Sequence, residues 1–123
     1  MKRSFVWLFV ILIPIILIVS TEMGYTATGC ASPPAESDIP QTINVTGAGT
    51  TEVNGTYTRG TDIGIMPSWS NGTYTILWCD ICGRWEIQDG GCPGMYFDGN
   101  GSLPSKTGWT AALGADPPPT LSW

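Results

Sequence analysis

The residues with the clearest capacity for chemistry are the cysteines, Cys30, Cys79, Cys82 and Cys92. The last three form a C-x2-C-x9-C pattern, and a two-residue spacing is found both in zinc sites and in disulfide-closed turns. The chain contains no histidine, so a tetrahedral zinc site would need Cys30 or a carboxylate such as Asp80 or Asp89 as its fourth ligand. A disulfide and a metal site are both open alternatives on this pattern.

Three short strands are predicted around these cysteines, over residues 73–78, 84–88 and 95–98. In the middle run Trp85 and Ile87 alternate with Arg84, Glu86 and Gln88, which is the pattern of a strand with one buried and one solvated face. Short runs joined by glycine-rich turns predict an antiparallel meander. We expect the side chains of Arg84, Glu86 and Gln88 to face water. The residues predicted to form the core are Tyr74, Ile76, Trp78, Trp85 and Ile87, with Tyr57, Phe97 and Trp109 added from neighbouring strands.

This meander predicts how the cysteines pair. Cys79 and Cys82 lie in the turn before the middle strand and Cys92 in the turn after it, so five residues of strand separate them by roughly 17 Å. A disulfide needs its two Cα atoms within about 7 Å of each other. We therefore expect a Cys79–Cys82 disulfide, with Cys92 either joined to Cys30 or free.

Catalytic chemistry is not indicated by the remaining residues. The Trp-Cys-x-x-Cys run at residues 78–82 resembles that of thioredoxin-like enzymes, but the thiolate there is stabilised by a following helix, and here Gly83 and a strand pattern follow. No serine or cysteine stands beside a plausible general base. The sequence predicts a non-enzymatic protein without a cofactor or catalytic residue, and a small zinc-binding or redox protein is the alternative.

The N-terminus predicts export. A basic start at Lys2 and Arg3 precedes an apolar run over residues 5–19 and a polar exit, which is the order of a secretory signal. We expect a signal peptide over residues 1–29. The alternatives are an uncleaved membrane anchor or a lipid on Cys30. We therefore expect a secreted or cell-surface protein.

Composition excludes one class of partner and fixes the fold class. The chain has 5 basic and 10 acidic residues, which argues against nucleic acid as a partner.

Short runs without helical periodicity predict an all-β protein, a small antiparallel meander forming one compact sheet or barrel-like module with no significant helix. The expected organisation is a proline-rich linker at 30–42, a β domain at 43–116 and a proline-rich tail at 117–123.

The order of motifs resembles a short Trp- and Gly-rich β module that recurs in secreted or surface proteins of bacteria, phages and protists. The matching pieces are Gly47-Ala48-Gly49, Val53 to Tyr57, Trp78, Trp85-Glu86-Ile87, Tyr96, Gly108-Trp109 and Pro117 to Pro119. The resemblance implies an extracellular β module used for display or attachment, with no known activity. The cysteines depart from the pattern of that module.

The predicted function is therefore a structural, adhesive or assembly role. Residues 43–45 or the tail could serve as an edge strand that pairs with another copy of the chain or with a surface assembly. The alternative is a carbohydrate-binding module, in which the exposed rings of Trp69, Tyr96 or Trp109 stack on glycans.

Overall fold

The computed structural model describes residues 32–99 and 101–123. Over these residues the chain is all-β, and eight strands form one antiparallel sheet that curls into a half-barrel, which confirms the predicted fold class. The predicted signal peptide at 1–29 and Cys30 lie outside the described residues. Within the described ranges, no helix has the length and apolar character needed to cross a membrane.

The strands are short and follow one another as neighbours in the sheet, except for the last. They are β1 (Thr42–Thr46), β2 (Gly55–Arg59), β3 (Trp69–Ser70), β4 (Thr75–Cys79), β5 (Arg84–Gln88), β6 (Tyr96–Asp98), β7 (Thr110–Ala111) and β8 (Thr120–Ser122). The order in the sheet is β7-β6-β5-β4-β3-β2-β1-β8. Two 3-10 turns, Glu36–Asp38 and Thr51–Val53, accompany the strands.

The predicted meander is present as β4, β5 and β6. Trp78 pairs with Trp85 across β4 and β5, and Ile87 pairs with Tyr96 across β5 and β6. The register therefore places Trp78, Trp85, Ile87 and Tyr96 on one face, because side chains alternate between the two faces of a sheet. Leu77 and Phe97 pair with Glu86 and lie on the other face.

Tryptophan rings fill the concave face of the sheet. The ring of Trp85 lies 6.0 Å from that of Trp69 and 5.8 Å from that of Trp78, centroid to centroid. The residues predicted for the core are buried, namely Tyr57, Tyr74, Ile76, Trp78, Trp85, Ile87 and Trp109. Phe97 is the exception: it pairs with Glu86 on the opposite face and lies half-buried under the Arg84 guanidinium, 4.0 Å from the ring centroid.

The predicted edge strands have partners in this sheet. Residues 43–45 belong to β1, which lies between β2 and β8. The tail forms β8, which lies at the edge of the sheet, and its Leu121 N–H donates to the Lys106 carbonyl at 2.8 Å. The expectation of an edge strand is therefore wrong for residues 43–45 and confirmed for the tail.

Both ends of the β domain extend past the expected boundaries. The prolines at 117–119 cannot take part in a ladder, but the strand begins directly after them at Thr120. On the other side, Ile39 is buried and the indole N–H of Trp69 donates to the Pro40 carbonyl at 2.7 Å. The last residues of the predicted linker thus pack on the sheet.

Replacing Trp85 by alanine tests the tryptophan core. Loss of a buried aromatic ring that contacts two others should lower the free energy of unfolding by about 3–5 kcal/mol. The matched control is Leu113→Ala, because Leu113 is 65% exposed, and its effect should stay within about 0.5 kcal/mol. Urea unfolding followed by far-UV circular dichroism measures both, and similar losses in the two variants would contradict this core.

Candidate metal centre

The carboxylate of Glu86 is buried on the convex face of the sheet, opposite the face that carries the tryptophan core. Its Oε1 accepts hydrogen bonds from Nε and Nη2 of Arg84, both at 2.9 Å, and its Oε2 accepts one from the Gly94 N–H at 3.0 Å. The side chain is fully buried. A buried carboxylate needs such partners, since desolvation of an unpaired charge is very unfavourable.

The loop between β5 and β6 causes this burial. Residues 89–95 do not form a tight turn beyond the strand but fold back over the convex face. The Met95 N–H donates to the Ile87 carbonyl at 2.7 Å, which fixes the return of the loop. The expectation that Glu86 and Gln88 face water is therefore wrong, because strand alternation assigns a side chain to a face but does not say what covers that face.

Gly94 permits the close approach of this loop. A Cβ at this position would lie 2.6 Å from the Ile87 carbonyl oxygen and 3.2 Å from Glu86 Oε2. No other residue type fits there without displacing the backbone.

The same fold-back brings the cysteines together. Cys79 ends β4 opposite Arg84, so its side chain lies on the face that carries Glu86. The Cys92 sulfur lies 2.8 Å from that of Cys79 and 3.5 Å from that of Cys82, and its thiol donates to Glu86 Oε2 at 3.3 Å. The three sulfurs and a carboxylate oxygen all lie within 4.8 Å of one another.

The expected cysteine arrangement is corrected by these distances. The three described cysteines are free thiols, so the Cys79–Cys82 disulfide is not formed in this structure. The predicted register of β4 and β5 is present, yet Cys92 contacts Cys79. The separation of roughly 17 Å assumed a turn confined to the far end of β5, whereas the loop returns along the strand.

The ligands proposed from the sequence differ from those in the cluster. Asp80 and Asp89 are exposed and are not among the clustered groups, and the fourth group is Glu86 instead. Cys30 lies outside the described residues. The sequence held one signal for the position of Glu86, which is that the loop following its strand is rich in glycine.

The cluster disfavours loss of the thiol protons of Cys82 and Cys92. The hydrogen bond with Cys79, followed by burial and the contact with Glu86, holds the pKa of the Cys92 thiol well above its usual range. The pKa of Cys82 is also raised, chiefly by its hydrogen bond with Cys79. A bound cation would reverse this preference, because metal-ligating thiols are deprotonated.

The aromatic residues proposed to bind glycans are buried. Trp69, Tyr96 and Trp109 are 0%, 0% and 3% exposed. Their polar atoms bond to backbone carbonyls: the Tyr96 hydroxyl donates to Ala115 at 2.6 Å and the Trp109 indole to Ser105 at 2.8 Å. These rings stabilise the fold and offer no face to a sugar.

Comparison of the chain with known proteins identifies no relative. No protein-family model matches the chain, and neither the curated proteins nor the solved structures give a match. The resemblance to the Trp- and Gly-rich module therefore stays a prediction.

Replacing Glu86 by leucine tests its role in holding the loop. The variant leaves Arg84 and the Gly94 N–H without their acceptor, so the free energy of unfolding should fall by about 3–5 kcal/mol, as for a broken buried ion pair. The control is Glu52→Leu, since Glu52 is exposed, and it should change stability by no more than about 0.5 kcal/mol. Equal effects in urea denaturation would show that Glu86 does not hold the loop.

The raised thiol pKa predicts how the stability of the reduced, metal-free chain depends on pH. Unfolded thiols lose their protons near pH 8.5, whereas folded Cys92 keeps its proton at higher pH. The folded state then binds more protons than the unfolded state, so stability should fall as pH rises above about 8.5. Urea unfolding at pH 7 and pH 9.5 measures this fall, and it should be smaller in Cys92→Ser; an unchanged pH dependence in that variant would contradict the assignment.

Proposed function

We propose that this chain is an exported, non-enzymatic β module with a structural or display role at the cell surface. The observation that carries the proposal is that the buried polar side chains of the sheet bond to the backbone of its loops. These side chains hold the loops, and therefore the surface of the protein, in one shape. That use suits a scaffold better than a site that must bind and release a substrate.

Two buried residues besides Glu86, namely Asp98 and Tyr96, show this use, and the half-buried Asn54 does the same in the turn before β2. Asp98 accepts hydrogen bonds from the Gly99 and Ser105 N–H groups, both at 2.7 Å. The Tyr96 hydroxyl accepts from the Thr50 N–H at 3.0 Å, and the amide of Asn54 bonds both the N–H and the carbonyl of Ala48, at 2.9 and 3.1 Å. Loops fixed at several points present a constant surface to a partner, because little ordering is left to occur on binding.

Carbohydrate binding has less support from this geometry. The three rings proposed for stacking lie in the core. Trp123 is an exposed aromatic residue among those described, and the Lys106 ammonium already lies 4.5 Å from its ring centroid. Stacking on sugars needs an open aromatic face.

The partners we propose are other copies of the chain or components of a surface assembly. Pairing through β1 is not the route we propose, because β1 lies between β2 and β8. β8 is an edge strand, but the Leu121 N–H in its middle already donates to the Lys106 carbonyl. We propose instead that partners contact the loops that the buried polar side chains hold in place. Such contact leaves the strand pairing of the sheet unchanged.

Export is tested by fractionating bacterial cells that express the full chain with a C-terminal epitope tag. We expect the chain outside the cytoplasm, with an intact mass that reports removal of residues 1–29. The matched control is Leu12→Arg, which interrupts the apolar run and should retain the chain inside. Wild-type chain of full length in the cytoplasm would contradict the proposal.

Glycan-array binding separates the structural role from the carbohydrate-binding role. The exported wild-type chain should give no signal, since the predicted stacking rings are buried. Binding to a polysaccharide that Trp123→Ala abolishes would contradict the structural proposal and support the carbohydrate alternative.

A further inference from the structure

We propose that Cys79, Cys82, Cys92 and Glu86 bind one zinc ion, with three thiolates and Glu86 Oε2 as its four ligands. This inference goes beyond the proposed structural role, and either can hold without the other. It uses a donor set that the sequence alone did not bring together.

The distances fit a tetrahedral zinc site. Zinc–sulfur bonds of about 2.3 Å place two sulfurs of a tetrahedron roughly 3.7 Å apart. Cys82 and Cys92 are 3.5 Å apart, and the four donor atoms lie within 4.8 Å of one another. The 2.8 Å separation of Cys79 and Cys92 must widen by roughly 1 Å. Cys92 is exposed and lies in a loop, so a side-chain rotation is sufficient.

The position of Glu86 favours a metal ion over a disulfide. A disulfide would use two of the three sulfurs and would leave at most one thiol to bond to Glu86 Oε2. In the structure the Cys92 thiol donates a hydrogen bond to Glu86 Oε2 at 3.3 Å. A zinc ion can replace the thiol proton and bond to both Cys92 Sγ and Glu86 Oε2, because carboxylate oxygen and thiolate sulfur are both zinc ligands.

The complete site carries a net negative charge that Arg84 partly offsets. Binding releases the three thiol protons to solvent, while the carboxylate binds in its ionised form. Four anionic ligands around a divalent ion leave a double negative charge, and Arg84 offsets half of it through its two bonds to Oε1. The Gly94 N–H orients Oε2 in the same way. Such outer-shell partners orient the ligands of natural metal sites.

The donor set also selects the metal class. Thiolates favour zinc and cuprous ions, and an oxygen ligand shifts the preference toward zinc. Cys82 and Cys92 are exposed, so the ion can enter from solvent. Once bound, it would join the β4–β5 turn to the 89–95 loop.

The test is a metal titration of the full-length chain, reduced and metal-free. Zinc should bind at one ion per chain by native mass spectrometry. Cobalt(II) should give the intense visible bands of a tetrahedral site and a thiolate-to-cobalt charge-transfer band. Each of Cys79→Ser, Cys82→Ser and Cys92→Ser should reduce that band by one thiolate, and Glu86→Gln should weaken zinc binding at least about 10-fold.

Matched variants identify the fourth ligand. Cys30→Ser, Asp80→Asn and Asp89→Asn remove the alternative donors and should leave zinc affinity unchanged. A loss of affinity in one of these variants, with Glu86→Gln unaffected, would overturn the assignment of Glu86. Circular dichroism of each metal-free variant checks that it is folded, and the thiolate count from the cysteine variants tests the site even if Glu86→Gln does not fold.

The disulfide alternative is tested on the exported chain. Chelation followed by alkylation and peptide mapping should find Cys79, Cys82 and Cys92 as free thiols and one zinc ion released. A metal-free exported chain with a Cys79–Cys92 disulfide would overturn the proposal. Either result leaves the test of export unaffected, so the two proposals fail separately.

Discussion

Burial of the Glu86 carboxylate constrains more of this structure than any other single contact. A charge removed from water must be matched by hydrogen-bond donors, and here they come from Arg84 on the same strand and from Gly94 in the following loop. Because one donor belongs to the loop, the loop must return over the sheet. That return covers the convex face beside β5 and carries Cys92 to Cys79. The thiol cluster is therefore a consequence of how a buried charge is satisfied.

Two kinds of interaction stabilise the sheet. On the concave face, buried tryptophan and tyrosine rings together with aliphatic side chains supply the favourable free energy of folding. On both faces, buried polar groups fix loops through hydrogen bonds to the loop backbone: Glu86 on the convex face, and Asp98 and the Tyr96 hydroxyl on the concave face. A small domain buries a limited fraction of its surface, so these bonds, and a metal ion in the thiol cluster, are useful additions. This division of roles is the physical basis for proposing a scaffold.

The sequence predicted those features that depend on local alternation. The strands at β4, β5 and β6, the all-β fold and most of the core are confirmed, because period-two patterns fix which side chains share a face. Features that depend on distant contacts were missed. The return of residues 89–95 depends on Gly94 meeting Glu86, and the inclusion of β8 depends on Leu121 pairing with Val45, far away in sequence. The ring of Trp69 was misplaced because no strand was predicted for its segment. Tyr96 was misplaced because alternation in the short run 95–98 does not say whether Tyr96 or Phe97 faces the core.

Hydrogen exchange at the Gly94 amide tests the central claim most directly. In the reduced, metal-free chain labelled with nitrogen-15, the account predicts that this amide exchanges as slowly as the ladder amides of β5, because it donates to a buried carboxylate. Protection should be lost in Glu86→Leu and retained in Glu52→Leu. Exchange of the wild-type Gly94 amide at the rate of an unprotected loop would contradict the fold-back, and with it the assembly of the thiol cluster.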